Sequence, residues 1–200
     1  MTDIISSDEN ILHVNQALYD ALSEYIDTAS VAITFDLPAV DSLPSEPTLS
    51  VFLYEIHEDL RMRAGGVAVK NYNSTDNSVR ISPAWVNVNC NYIITYWDSE
   101  QGQTSSPGSP GAMPDNQGIR VMNQVVNALI NNRQLADMPG AYTRMIPPKD
   151  ELNSLGNFWQ SLGNKPRLSL NVSVTIPVSL TDPNNAVPGV KTTLAEMSQL

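Results

Sequence analysis

The sequence predicts an α/β fold, a single domain in which a mixed, largely antiparallel sheet is flanked by about three helices. Five segments carry strand-like apolar patterns, and three carry helical spacing. Hydrophobic residues make up 42% of the 200 residues, which is enough for one core. We expect the domain to span 1–178 and a polar tail to follow over 179–200, because Pro183, Pro188 and Gly189 interrupt a stretch with few apolar residues.

Three segments have the spacing and the capping signals of helices. Ser6 and Glu9 form a capping box at the start of a helix that we expect to end at Asp27. A second helix is predicted over 117–131, and a third over 150–163 with an aspartate as its N-cap. The apolar residues that recur at helical spacing are Ile11, Val14, Leu18, Leu22, Tyr25 and Ile26 in the first helix, Ile119, Met122, Val126, Leu129 and Ile130 in the second, and Leu152, Leu155, Trp159 and Leu162 in the third.

Five segments have strand patterns. A short strand is predicted over 31–35, and 48–56 is apolar on both faces, which is typical of a central strand. The longest strand, 85–97, would measure on the order of 40 Å, long enough to project from a small domain. A further short strand is predicted over 142–146. The clearest alternation lies over 167–176, where aliphatic residues are expected to face inward and polar residues outward.

Charge and composition exclude several classes of partner. The chain has 11 Lys and Arg against 21 Asp and Glu, a net charge of −10, so it would repel nucleic acids and anionic membrane surfaces. No apolar stretch approaches the roughly 20 residues of a membrane helix. Residues 1–10 lack the pattern of a signal peptide, and a single cysteine permits no intramolecular disulfide. We therefore expect a protein that folds in a reducing cytoplasm and is not inserted in a membrane.

The sequence offers no catalytic, cofactor-binding or metal-binding motif. A small hydrolase would have to use Cys90 as nucleophile and His57 as base, but Cys90 shares a predicted strand face with apolar side chains, where a thiol is inert. His57, Glu58 and Asp59 are adjacent, and successive side chains of a strand point apart rather than converging on a metal. Gly-x-Ser-x-Gly and phosphate-binding glycine motifs are absent. We predict a non-enzymatic protein without a cofactor.

A row of asparagines and a few arginines are the candidate contact residues. Asparagines at alternate positions of the longest strand share one face with a tryptophan at its end, and such a face suits hydrogen bonding to a neighbouring subunit. The alternative is an ordinary solvent-exposed face, which is the simpler account of the arginines. The candidate interface residues are Arg61, Arg63, Asn87, Asn89, Asn91, Trp97 and Arg167.

Three stretches in succession resemble one family. They are 47–61 (PTLSVFLYEIHEDLR), 88–97 (VNCNYIITYW) and 151–159 (ELNSLGNFW), the last followed by the strand at 167–172. In order and spacing they resemble the tail-terminator, or cap, proteins of extracellular contractile injection systems of the antifeeding prophage and Photorhabdus virulence cassette type. The resemblance extends roughly over 11–178.

This resemblance implies a tail-terminator-like domain that acts as a homohexameric ring at the distal end of a phage-tail-like particle. Its partners would be further copies of itself, the inner tube protein and the sheath protein. The protein would be assembled in the bacterial cytoplasm and then remain part of the particle. Two other interpretations stay open: an adaptor that joins cap to sheath or cargo in the same particle, and a soluble, non-catalytic binding module.

Overall fold

The computed structural model describes residues 7–38, 44–60, 69–73, 78–82, 85–98, 113–147, 167–179 and 186–188. These residues form two helices and eight strands, in one five-stranded and one three-stranded sheet. In chain order the elements are α1 (Asn10–Ser23), β1 (Ala32–Thr34), β2 (Thr48–Glu58), β3 (Val69–Asn73), β4 (Ser78–Ser82), β5 (Trp85–Trp97), α2 (Gln117–Asn131), β6 (Tyr142–Ile146), β7 (Ser169–Ser179) and β8 (Ala186–Pro188).

The main sheet has the strand order β1-β2-β5-β7-β6. Only β1 and β2 run parallel, and every other neighbouring pair is antiparallel, so the predicted mixed and largely antiparallel sheet is confirmed. The longest strand, β5, lies in the middle and is paired with β2 on one side and β7 on the other. Its first residue, Trp85, is still paired with Ser179 of β7. The strand therefore does not project alone, because partner strands of 11 residues accompany it on both sides.

A second sheet forms from strands that the sequence did not reveal. β3 and β4 pair as antiparallel neighbours, and β8 pairs with the other edge of β4. Asn71 and Asn73, residues that are common in turns, belong to β3. β8 lies within the segment predicted as a tail, where three residues are too few to show an alternating pattern. The chain after β7 thus contributes a strand to the fold.

Both described helices cover the same face of the main sheet. Four residues of α1 are buried against it, and the predicted apolar positions Val14, Leu18 and Leu22 are among them. α1 is shorter than predicted, and Ser6 of the expected capping box lies outside the described residues. At the start of α2, Asn116 is the N-cap, and its side chain accepts a hydrogen bond from Ile119 N at 2.9 Å. The third predicted helix, 150–163, also lies outside the described residues.

Close contacts fix the helical layer on the sheet. A methyl group added at Gly118, near the start of α2, would lie 3.1 Å from Cδ1 of Tyr96, so the helix approaches β5 closely here. On α1, the Tyr92 hydroxyl of β5 donates to Oδ1 of Asn15 at 2.8 Å. Asn10, the first residue of α1, donates through Nδ2 to the Pro177 carbonyl of β7 at 2.8 Å. These bonds give a non-directional apolar interface one defined register.

We predict that Tyr92→Phe lowers the free energy of unfolding by about 1 kcal/mol, because it removes the only side-chain hydrogen bond described between β5 and α1. Equilibrium urea denaturation of the full chain measures the change. Tyr19→Phe, at a tyrosine that is 36% exposed, is the matched control and should change stability by less than about 0.5 kcal/mol. In a double-mutant cycle with Asn15→Ala, a coupling energy indistinguishable from zero would contradict the role of this bond.

Candidate assembly surfaces

The central part of the sheet face opposite the helices is polar, yet it is buried, whereas His57 and Arg144 on either side of it are exposed. Side chains of four neighbouring strands form a hydrogen-bonded row across it. Thr175 Oγ1 of β7 donates to Asn89 Oδ1 of β5 at 2.6 Å, and Arg144 of β6 donates to Thr175 Oγ1 at 3.2 Å. Asn89 Nδ2 lies 3.5 Å from His57 Nε2 of β2. The row therefore links the strands through side chains in addition to the backbone ladder.

Two of the three predicted contact asparagines belong to this interior. Asn91 is 1% exposed, and its Nδ2 donates to Glu55 Oε2 at 2.6 Å. Asn89 is 8% exposed and is bonded as described above. The alternative of an ordinary solvent-exposed face is therefore wrong for these two asparagines, whose Nδ2 or Oδ1 atoms meet cross-strand neighbours, and Asn91 Oδ1 is buried without a hydrogen-bond partner among the described residues. Asn87, nearer the start of β5, is half-buried.

The predicted anchor Trp97 is also internal. It is 1% exposed, and its Nε1 donates to Thr95 Oγ1 at 2.8 Å. The guanidinium carbon of Arg167 lies 4.1 Å from the centroid of the Trp97 ring, a cation–π contact. Burial lowers the pKa of Arg167, and the nearby carboxylate of Asp98 opposes that shift. Trp97 and Arg167, both predicted as contact residues, thus contact each other within the monomer. Arg61 and Arg63 lie outside the described residues.

The geometry keeps Cys90 and His57 apart. In the β2–β5 register Cys90 is opposite Ile56, and His57 is opposite Asn89, so the two side chains point to opposite faces of the sheet. Cys90 is fully buried in the apolar core, and desolvation raises its pKa to about 11. Among the residues that the structure describes, no three His, Cys, Asp or Glu side chains are grouped as metal ligands.

Exposed apolar side chains mark the surfaces available for contacts with other proteins. Ile119 and Ile130, at opposite ends of α2, are 46% and 45% exposed, and Asn123 and Asn127 lie between them on the same side of the helix. Helical spacing alone grouped these isoleucines with the residues that face the sheet. A narrower apolar stripe along the helix would have identified the residues that are in fact buried, which are Val121, Met122, Val125, Ala128 and Leu129. In the described part of the chain, the other large apolar residues that are at least 36% exposed are Leu12, Tyr19, Ile56, Leu60, Trp85, Met113, Tyr142 and Leu168.

The chain is similar to a known protein family. The family model of the Pvc16 N-terminal domain matches residues 13–192. The chain belongs to this family. A comparison with curated proteins gives no match. None of the described helices is long and apolar enough to cross a membrane.

Two solved structures show the same fold at high sequence identity. One is the sheath/tube terminator of the PVC extracellular contractile injection system in its extended state, with a TM-score of 0.76 and 48% identity over 95% of this chain. The other is the tube-terminating cap of the anti-feeding prophage, with a TM-score of 0.75 and 48% identity over 96% of this chain. The chain spans 64% and 63% of the length of those two proteins. The resemblance to tail terminators seen in the sequence is thereby confirmed.

Replacing a buried threonine by valine tests how much the hydrogen bonds of the polar face contribute to stability. Thr175 is the test position, and Thr143 is the control. Thr175→Val removes a donor and leaves Asn89 Oδ1 buried without it, so we predict a loss of about 1–3 kcal/mol in the free energy of unfolding. The Oγ1 of Thr143 is buried without a partner, so Thr143→Val should leave stability unchanged or raise it. Chemical denaturation measures both variants, and equal losses in the two would contradict the network's contribution.

The raised pKa of Cys90 predicts an inert thiol. At pH 7–9 the thiol stays protonated because this range lies below its pKa of about 11, and it is also out of contact with solvent. We expect no labelling by Ellman's reagent in the native protein and one thiol labelled after denaturation. Fast native labelling at pH 7 would show instead that Cys90 is accessible as a thiolate.

Proposed function

We propose that the chain terminates the inner tube and the sheath at the distal end of a contractile injection particle. The observation that carries the proposal is the 48% identity to a sheath/tube terminator and to a tube-terminating cap, in each case over at least 95% of this chain. Because the chain spans less than two thirds of those proteins, the proposal applies to the role of this domain within the particle.

In this proposal the active form is a homohexameric ring that contacts the last layer of tube and the last layer of sheath. Head-to-tail contacts between identical subunits close into a ring when the rotation between neighbours divides a full turn. The exposed stripe of α2, from Ile119 to Ile130, supplies apolar area and amide groups for such contacts. Among the residues predicted from the sequence, Asn87 is the asparagine that the monomer leaves partly accessible.

The proposed role is structural and involves no catalysis. The two similar solved structures are terminator and cap proteins. The one nucleophile–base pair that the sequence offers is separated by the sheet, and its thiol pKa is raised. Assembly would take place in the bacterial cytoplasm, followed by incorporation into the particle.

Deletion of the gene in the native host, with and without complementation by a tagged copy, tests the proposal. We expect the complemented strain to yield sheathed particles of uniform length that carry the tag at one blunt end. We expect the deletion strain to yield tubes of variable length or naked tubes, because nothing stops polymerisation. Negative-stain electron microscopy measures the length distribution and the position of the label.

Reconstruction of the labelled end without imposed symmetry tests the hexamer separately. Six copies of the domain between the last tube layer and open space would agree with the ring. Density for this chain outside a cap formed by another protein would favour the adaptor. Unchanged particle lengths in the deletion strain would contradict the terminator role whatever the symmetry.

A further inference from the structure

A groove lies between one flank of α1 and the turn that follows α2. It has a volume of about 340 Å³. One wall is formed by α1 and the other by residues 132–138. The residues that line it are His13, Gln16, Ala17, Asp20, Ala21, Glu24, Asn132, Ala136, Asp137 and Met138.

Small apolar side chains form part of the lining. Ala17, Ala21, Ala136 and Met138 contribute only methyl groups and a thioether, and Ala21 and Met138 are 7% and 9% exposed. The alanine side chains of α1 are short, so they leave space in the groove for an inserted side chain. A volume of about 340 Å³ is large enough for one long side chain whose aliphatic stem covers these apolar groups.

Carboxylates lie on both walls of the groove. Asp20 and Glu24 are one turn apart on α1, and Asp137 is on the opposite wall. Asp20 accepts from the Gln16 amide at 2.8 Å, and Glu24 accepts from Asn132 Nδ2 at 3.4 Å, so the donors that contact these two carboxylates are neutral amides. Among the described residues, no lysine or arginine forms an ion pair with these three carboxylates.

An apolar lining beneath acidic walls is complementary to a side chain with an aliphatic stem and a cationic head. We propose that the groove binds a lysine or arginine side chain presented by an extended segment of a different protein. The stem would cover the alanines and Met138, and the head would lie between Asp20 and Asp137. The net charge of −10 would attract such a segment from a distance.

Among the arginines whose side chains the structure describes, none is available to enter the groove of a second copy of the chain without losing a contact. The four arginines whose side chains the structure describes already have partners within the chain. Arg120 pairs with Asp115, Arg133 donates to the Tyr142 hydroxyl, Arg144 donates to Thr175 and Arg167 stacks on Trp97. Docking any of them in a neighbour's groove would first break one of these contacts. The inference does not depend on the proposed function, because it rests on the groove of the monomer.

The test variant replaces the three carboxylates of the groove by amides of the same shape. D20N/E24Q/D137N removes three negative charges and retains the oxygens that accept from Gln16 and Asn132. Asp137 has φ of 58°, and asparagine tolerates this left-handed backbone well. The matched control E9Q/D36N/E46Q removes three carboxylates from exposed positions outside the groove. Both variants therefore have the same net charge.

The probe is the peptide acetyl-Ala-Leu-Lys-Leu-Ala-amide, with its Lys→Arg, Lys→Glu and Lys→Leu counterparts, titrated into the ¹⁵N-labelled full chain. We expect saturable shifts of the amide signals of Ala17, Ala21 and Ala136 with the lysine and arginine peptides, and none with the glutamate peptide. D20N/E24Q/D137N should weaken binding about tenfold, and the control should change it less than about twofold. Well-dispersed spectra of both variants establish that they are folded.

Other outcomes overturn the proposal. The absence of saturable groove shifts up to millimolar peptide would exclude a cationic side chain as the ligand. Equal binding of the leucine peptide would show that the groove is a general apolar site. Equal weakening in both triple variants would show that binding follows net charge and not the groove. Concentration-dependent line broadening at the groove without peptide would identify a second copy of the chain as the occupant.

Discussion

The pairing of β5 along both of its edges is the constraint on which the rest of the structure depends. The strand has 13 residues, and β2 and β7 accompany it over nearly all of that length. Nine consecutive residues, from Asn89 to Trp97, are buried, so both faces of the strand lie in the interior. One face is apolar and carries the helices. The other must satisfy asparagine and threonine side chains away from water.

The two faces contribute to stability in different ways. The apolar face, with Tyr92, Ile94 and Val174, gains free energy from burial that does not depend on direction. The polar face gains little net free energy per bond, but its bonds are lost if a strand shifts by one residue. Asn89, Thr175 and Arg144 therefore specify which residues of three strands lie opposite one another. Such specificity would suit the proposed role, in which the surface of the domain has to match other subunits in a defined geometry.

Burial of the polar face also explains which predictions from the sequence failed. The main sheet could be predicted because β2, β5 and β7 have long, distinct patterns and bury large aliphatic side chains. The fate of Asn89 and Asn91 could not be predicted, because alternation reports only that one face is polar. Whether a polar face meets solvent or a partner strand depends on cross-strand neighbours such as Glu55, whose register includes a bulge between Leu53 and Glu55. β8 was not predicted because a strand of three residues is too short to show alternation of apolar and polar residues.

The contact surface could be predicted even less, for a related reason. The sequence pointed to polar and aromatic residues of the strands, yet the monomer uses Trp97 and Arg167 to complete its own interior. Other side chains do not take part in the apolar core or in an ion pair of the described residues. They include Ile119 and Ile130 of α2 and the carboxylates of Asp20 and Asp137 beside α1. Surplus apolar area and unpaired charge are what a partner can complement. Candidate contact sites on this domain are therefore better sought among the groups that its fold leaves unsatisfied at the surface than among the polar residues of its strands.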